Sequence, residues 1–459
     1  MNMIDELIQI MGKERASADK TVRYVYSRDA SSGVIGMPDY VAQPIDTEEV
    51  VEVMTLASEH RIPITPRGAG TGTVGGCVPL RGGIVLDMSK MNKIIDIDVG
   101  NLCTMVEPGV IAGKLNEQLA KEGFFFAPDP MSARFCTMGG IVGNCAGGSG
   151  GLKYGVTKHH VLDLEVVLPD GSAIRTGSKV AKSDSGYDLT SLFIGSEGTL
   201  GVVTKALVKI LPLPETRSTV IAYFDDLEKT GEAFLRVLSK GIIPGACELM
   251  DSFCIKAVNS FMPIFQDAEV LLLFRLEGSE EAVKREVAGV ISSCRESGAF
   301  EVKQAVTKEE TERLWLGRSA LGPALVRTGK ALSTSYPYCA EDYGVPPRRI
   351  PEMLKEIKRI LHGKDLVYIT AGHIGDGNLH SVGAFDLSNE DERRQVIEVS
   401  KEIYRVALAL EGTVTCEHGI GADKIELLKE EHKSSYPLMQ TIKKAIDPAN
   451  IMNPGKIFE

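Results

Sequence analysis

The sequence predicts an α+β protein with three parts: a glycine-rich α/β half, an antiparallel sheet with helices on one face, and a helical C-terminal segment. Three observations carry this. From about residue 40 to 215, short apolar runs alternate with turns and helix-period stretches. From Ser218, strands are separated by single long helices, the spacing of an antiparallel sheet packed by helices. Beyond about residue 390 the periodicity is mainly helical. The chain has 459 residues, and roughly 150 per domain leaves room for about three such parts. Hydrophobic residues at 43% and charged residues at 25% exclude disorder, coiled coil and collagen.

In chain order, Met3, Ile4, Leu7, Ile8 and Met11 recur at helical spacing, so residues 1–36 are expected to be an N-terminal helical segment. The runs YVAQP, IPITPRGAGTG, GGIVLDMS, IIDIDV and TMVEPGV read as strands, with helices at TEEVVEVMTLASEHR and IAGKLNEQLAKEG. A glycine-dense stretch at 137–155 follows. VLDLEVVLPDGSAIRT then reads as two strands about a turn at Pro169, Asp170 and Gly171. FIGSEGTLGVVTKALVKILPLPE closes this domain, 37–215, where two prolines mark a boundary. A second domain, 216–410, contains STVIAYF, ACELM, VLLLFRLEG and FEVKQAV with helices between them, then DLVYITAGHI, NLHSVGAF and a helix at about 390–410. Residues 411–459 are expected to return to the glycine-rich domain.

Lys plus Arg number 51 and Asp plus Glu 62, a net charge of −11, which offers no basic field to a polyanion. Nucleic acid is therefore not an expected partner. No apolar run reaches the roughly 18 residues that cross a bilayer, so no integral membrane segment is expected. MNMIDELIQIMGKER carries acids where a secretory signal carries bases, and a cytoplasmic protein is expected. Nine cysteines form no CxxC pair and no iron–sulfur spacing, so they read as reduced and structural. Glycine stands out: 47 residues, about 10% against a usual 7% or so, clustered between Gly68 and Gly201.

PRGAGTG, comprising Pro66, Arg67, Gly68, Ala69, Gly70, Thr71 and Gly72, follows a strand and offers closely spaced N–H groups with little bulk, a candidate anion nest. The alternative is flexible turn glycines. A Rossmann fingerprint would open a helix here, and GTVGGCVPLRGG does not continue as one. The P-loop consensus is absent. GGSGG matches GxSxG formally, but Ser149 lacks a flanking strand and helix, which disfavours a hydrolase elbow.

Three clusters in order, PRGAGTG, CTMGGIVGNCAGG and FIGSEGTLGVVT, resemble the FAD-binding domain of the p-cresol methylhydroxylase and vanillyl-alcohol oxidase type. The resemblance implies two α/β lobes gripping an extended FAD, with its diphosphate on residues 67–72. It places Thr137, Met138, Gly139, Gly140, Gly143, Asn144, Gly147 and Gly148 along the cofactor, with Gly198, Gly201, Val202 and Val203 beside it. Relatives that tether flavin through a histidine carry it in the first loop. RGAGTG has none, which implies non-covalent FAD.

Of eight histidines, His373, His380 and His418 lie in GHIGDGNLH and CEHGIG. Two strands joined by a two-residue Asp376-Gly377 turn would set His373 directly opposite His380, with Cβ atoms about 4.5 to 5.5 Å apart, close enough to share a cation. Glu417 could supply a third ligand if its segment returns to the hairpin. The alternative is a hairpin whose histidines bond each other or the backbone. His418, beside the proposed ligand, is a candidate for proton transfer, since an imidazole ordinarily titrates at about 6.5; its alternative is a core histidine.

GHIGDGNLH, CEHGIG and NPGK resemble the signature segments of FAD-linked D-2-hydroxyacid dehydrogenases, the group that includes D-lactate dehydrogenase and the glycolate oxidase catalytic subunit. The resemblance implies a divalent metal (Zn, Fe or Mn) on His373, His380 and Glu417, a base at His418, and contact of Asn378 and Asn453 with substrate or flavin. Arg318, in RLWLGRSALGP, matches the family's arginine for the substrate carboxylate; its alternative is a surface helix arginine. Some relatives add a second basic residue around YPYCAEDYGVP. Glu341 and Asp342 stand there instead, which tilts the expected substrate from 2-hydroxyglutarate to D-lactate, then glycolate. Electrons are expected to leave to an external acceptor, an electron-transferring flavoprotein or an iron–sulfur subunit. A non-catalytic FAD-binding subunit and an oxygen-using flavin oxidase are the rival readings.

Overall fold

The computed structural model describes residues 2–31, 33–180, 182–331, 335–338, 342–386 and 389–459. It divides into two compact units, Met1–Gly147 with Gly155–Leu213 and Glu417–Glu459, and Gly148–Tyr154 with Pro214–Cys416.

The first unit has two principal sheets. In one, the strands run Ala16–Ser17, Tyr40–Ala42, Ile84–Asp87, Ile64–Arg67; the first pair is antiparallel and the others parallel. Ile84, Val85, Leu86 and Ile64 are fully buried, the continuous apolar run of parallel strands covered on both faces. The helix Thr47–His60 is capped by Asp46, whose carboxylate accepts from Glu49 N at 2.9 Å. It buries Val50, Val53, Met54 and Ala57, one face of a 3.6-residue period. Leu7 and Met11 of the opening helix Met3–Met11 join the same core. The C-terminal tail extends this sheet: Ile64 N donates to Ile451 O and Asn453 N to Ile64 O, both 2.7 Å.

The other sheet is antiparallel, in the order Ile94–Asp98, Cys103–Val106, Val202–Lys209, Val161–Val167, Ala173–Arg175. Leu164, Val166, Ala206 and Val208 pack with Leu115 and Leu119 of the helix Ala112–Lys121, and with Ile141 and Val142 of the helix Met138–Asn144. The helix that opens the glycine-dense stretch thus packs into the core of this lobe.

In the second unit an antiparallel sheet runs Glu301–Gln304, Thr216–Phe224, Val270–Gly278, Ala246–Asp251, Val367–His373, Asn378–Asp386, Ser335–Tyr338, and Tyr343–Gly344 pairs with Asn378–Asp386. Helices pack on both faces rather than one. Ile221, Tyr223, Leu271 and Leu273 lie against Cys254, Val258, Leu314 and Leu321. Their alternates Ala222, Phe224, Leu272 and Phe274, which point the other way, are fully buried as well, and the helices Leu227–Ser239 and Glu280–Glu296 touch those strands. A strand buried on both sides reads as an unbroken apolar run, as VLLLF does.

Candidate functional site

In the second unit the strands Val367–His373 and Asn378–Asp386 form the histidine hairpin, but in a register different from the expected one. His373 faces Asn378, and His380 faces Ala371. The connection is four residues, 374–377, not two. A two-residue turn of that type needs positive φ at both central positions, and only Gly377 has it, at 85°. The loop instead closes by Asp376 N on His373 O (3.2 Å) and Gly377 N on Ile374 O (3.3 Å), with Asp376 Oδ1 accepting from Asn378 N at 3.3 Å. The shift is an even one, so both imidazoles stay on one face as diagonal neighbours. Their ring centroids are 5.6 Å apart, edge to face.

The carboxylate that organises this face is Glu248, on the strand Ala246–Asp251. Its Oε1 lies 2.7 Å from His373 Nδ1, and its Oε2 accepts from Arg318 Nε at 2.7 Å. Glu248 is 1% exposed, Arg318 4% and His373 6%. Arg318 is therefore not the surface helix arginine of the alternative reading. Burial alone would push the Glu248 carboxyl upward, but His373 and Arg318 outweigh it and hold it down to about 2. A carboxylate partner favours the tautomer with the proton on Nδ1.

Asn378 is buried, and its Nδ2 donates to Asp342 Oδ1 (2.7 Å) and Tyr343 O (3.1 Å). Asp342 Oδ2 accepts from Thr415 Oγ1 (2.6 Å) and Cys416 N (2.9 Å). Asp342 thus anchors the chain entering CEHGIG. Glu341 lies outside the described residues.

Glu417 and His418 belong to the first unit, where their side chains pair at 3.6 Å. The segment after them is held by Glu197, whose two oxygens accept from Ile420 N and Gly421 N, each at 2.7 Å. Burial pushes the Glu197 carboxyl up to about 7, against the opposing pull of those two N–H groups and of Lys456 and Lys424.

The first glycine loop, residues 66–72, leaves the strand Ile64–Arg67. Gly70 has φ +70°, and a Cβ at Gly68 would lie 2.2 Å from Thr137 Oγ1, so the first and second clusters meet through these atoms. Arg67 donates to Arg28 O at 2.8 Å and lies over the Tyr26 ring. A Cβ at Gly143 would meet nothing within 4 Å, leaving open room at that position of the helix Met138–Asn144, whereas Met138 is fully buried in the core. Gly139 and Gly201 are required by packing, against Pro108 and against Val166. Gly147 lies beside Glu417, while Gly148 falls in the second unit. Gly198 has φ +68° and packs on Pro66; Val202 and Val203 continue as ladder residues opposite Val167 and Val166. Asn453 Nδ2 donates to Gly76 O and Glu197 O. Asn453 Oδ1 and Thr73 Oγ1 are buried with no hydrogen-bond partner among the described residues, polar atoms of the kind a bound polar ligand satisfies.

Residues 38–177 match the family described as FAD binding domain, and the open room and unpartnered polar atoms beside its glycine loops fit that cofactor. Fold and loops together define an FAD-binding oxidoreductase. Residues 213–457 match FAD linked oxidases, C-terminal domain, and the chain belongs to the FAD-linked oxidase family. It is 40% identical over 457 residues to the glycolate oxidase subunit GlcD of Bacillus subtilis, covering 99% of this chain and 96% of that one. It is 34% identical over 464 residues to a D-lactate dehydrogenase of Archaeoglobus fulgidus, covering 100% and 99%. Among solved structures, p-cresol methylhydroxylase with substrate bound shares the fold with a TM-score of 0.79 at 19% identity, over 99% of this chain and 96% of that one.

Proposed function

We propose that this chain is a cytoplasmic FAD-dependent dehydrogenase that oxidises a small D-2-hydroxy acid, D-lactate first and glycolate next, to the 2-oxo acid. The observation that carries the reading is the buried arrangement in the second unit, where Glu248 joins Arg318 to His373 while His380 stands beside it. A guanidinium, the group suited to a substrate carboxylate, is thereby linked through Glu248 to one of two neighbouring imidazoles. The names of the relatives, a glycolate oxidase subunit and a D-lactate dehydrogenase, support a hydroxy acid substrate.

FAD, held non-covalently by residues 66–72, the 137–148 stretch, Gly198, Gly201, Val202, Val203 and Asn453, supplies the acceptor for the C2 hydride when bound, and a divalent Zn, Fe or Mn on His373, His380 and Glu417 supplies a Lewis acid. Arg318 binds the substrate carboxylate through its Nη groups, because its Nε is committed to Glu248. Asn378, with Nδ2 engaged, offers its Oδ1 to the substrate. His418 takes the hydroxyl proton as the C2–H bond breaks; at neutral pH an imidazole can accept that proton and later release it to solvent. Electrons pass to an external acceptor, an electron-transferring flavoprotein or an iron–sulfur subunit, and the relative described as a subunit supports a partner chain.

The test is anaerobic mixing of the flavin-loaded protein with D- and L-2-hydroxy acids. D-lactate or glycolate should bleach the flavin, with L-lactate at least about tenfold slower, as expected of a site that orients one hydrogen toward the acceptor. Absence of bleaching across the whole panel overturns the reading.

A further inference from the structure

We infer that Glu248 is a positioning residue that couples the metal ligand His373 to the substrate-binding Arg318. The inference rests on the proposed roles of those two residues and adds one that no sequence motif marks. Glu248 sits within a strand, in the run ACELM, 125 residues from His373 and 70 from Arg318. It nevertheless spends one carboxylate oxygen on each, both at 2.7 Å.

Each contact fixes what its partner can still do. A carboxylate on Nδ1 sets the tautomer in which Nε2 of His373 is the ligating atom and locks the ring plane, the arrangement by which outer carboxylates raise metal affinity. A carboxylate on Nε of Arg318 leaves the two Nη groups, whose parallel N–H bonds match a substrate carboxylate. Arg318 makes no other hydrogen bond or ion pair among the described residues. All three side chains are less than a tenth exposed, so losing a carboxylate oxygen would leave a buried donor unsatisfied. A single carboxylate therefore holds cation site and substrate clamp in one register, and disturbing it should loosen both together.

The experiment compares wild type, E248Q, E248D and His380→Ala as flavin-loaded proteins. Chelator-stripped samples are titrated with Mn²⁺, with free Mn²⁺ read by EPR. The concentration of D-lactate or glycolate, whichever bleaches wild type, that half-saturates anaerobic flavin reduction is measured on the metal-loaded proteins. E248Q should keep its flavin, bind Mn²⁺ about 10- to 100-fold more weakly, and need at least about tenfold more substrate. E248D, a carboxylate one methylene short, should lie between it and wild type in both. Loss of Mn²⁺ by His380→Ala together with wild-type Mn²⁺ and substrate affinities in E248Q overturns the inference and leaves the site reading standing. Wild-type Mn²⁺ affinity in His380→Ala overturns the site reading and the inference with it. If E248Q does not fold, E248D is judged by the same two affinities: weakening of both supports the inference, and wild-type values of both overturn it.

Discussion

At the scale of single residues, the proposed chemistry asks most of His418. Replacing it by Asn keeps a polar side chain of similar size and removes the proton acceptor, so FAD should stay bound while flavin reduction slows by more than about tenfold, since positioned proton transfer supplies roughly 10² to 10⁴. Stopped-flow absorbance under anaerobic conditions measures this. Near-normal reduction would remove His418 from the role. His373 and His380 were legible as a pair on one hairpin face, whereas Arg318 and Asn378 were named only through the family resemblance. Glu248 was not legible, since one acid among apolar strand residues carries no local signal and its partners lie far along the chain. Asp342 was legible only as an acid where a second base would stand. Its hydrogen bonds to Asn378, Thr415 and Cys416 need the fold to be seen.

At the scale of elements, the hairpin shows how far periodicity reaches. Strand parity placed both histidines on one face correctly, because a slip of two residues preserves the face. The pairing itself depended on the backbone angle of Asp376, which composition does not encode. The first glycine loop is firmer ground. Gly70→Ala puts a Cβ in a left-handed residue, 2.2 Å from Arg67 Nη2, at a cost of about 1 to 2 kcal/mol. FAD retention on dilution, followed by flavin fluorescence, should weaken roughly tenfold, and unchanged retention would free that loop from the cofactor.

The segment 420–421 supplies a prediction about pH. Glu197 ionises near 7 when folded, against an ordinary 4.5. The unfolded chain therefore loses this proton first as pH rises. The contribution of Glu197 to stability is fully present below about 4.5, falls through the interval up to about 7 and is lost above it. E197Q should remove that part of the slope, so the difference in urea midpoint between wild type and variant should change between pH 4.5 and 7 and stay flat above. Parallel midpoints across that interval would contradict it. Glu197 lay inside a motif read for its glycines alone, which is why its hold on the C-terminal segment was not anticipated.

At the scale of the whole molecule, the order of parts was legible: a glycine-rich half with two lobes, an antiparallel sheet with interleaved helices, and a helical end. The burial of both faces of the second sheet was the main departure, and its cause is the helices packed on either side of VLLLF. Metal-assisted oxidation of a 2-hydroxy acid by bound flavin is the central proposal. The most direct measurement is anaerobic flavin bleaching by D-lactate and by glycolate before chelation, after removal of the metal, and after Mn²⁺ or Zn²⁺ is restored. Rapid bleaching that falls at least about tenfold on stripping and returns with the ion, while FAD stays bound throughout, is the result expected from losing a Lewis acid. Bleaching indifferent to the ion, or none with either acid in the metal-loaded protein, would contradict it.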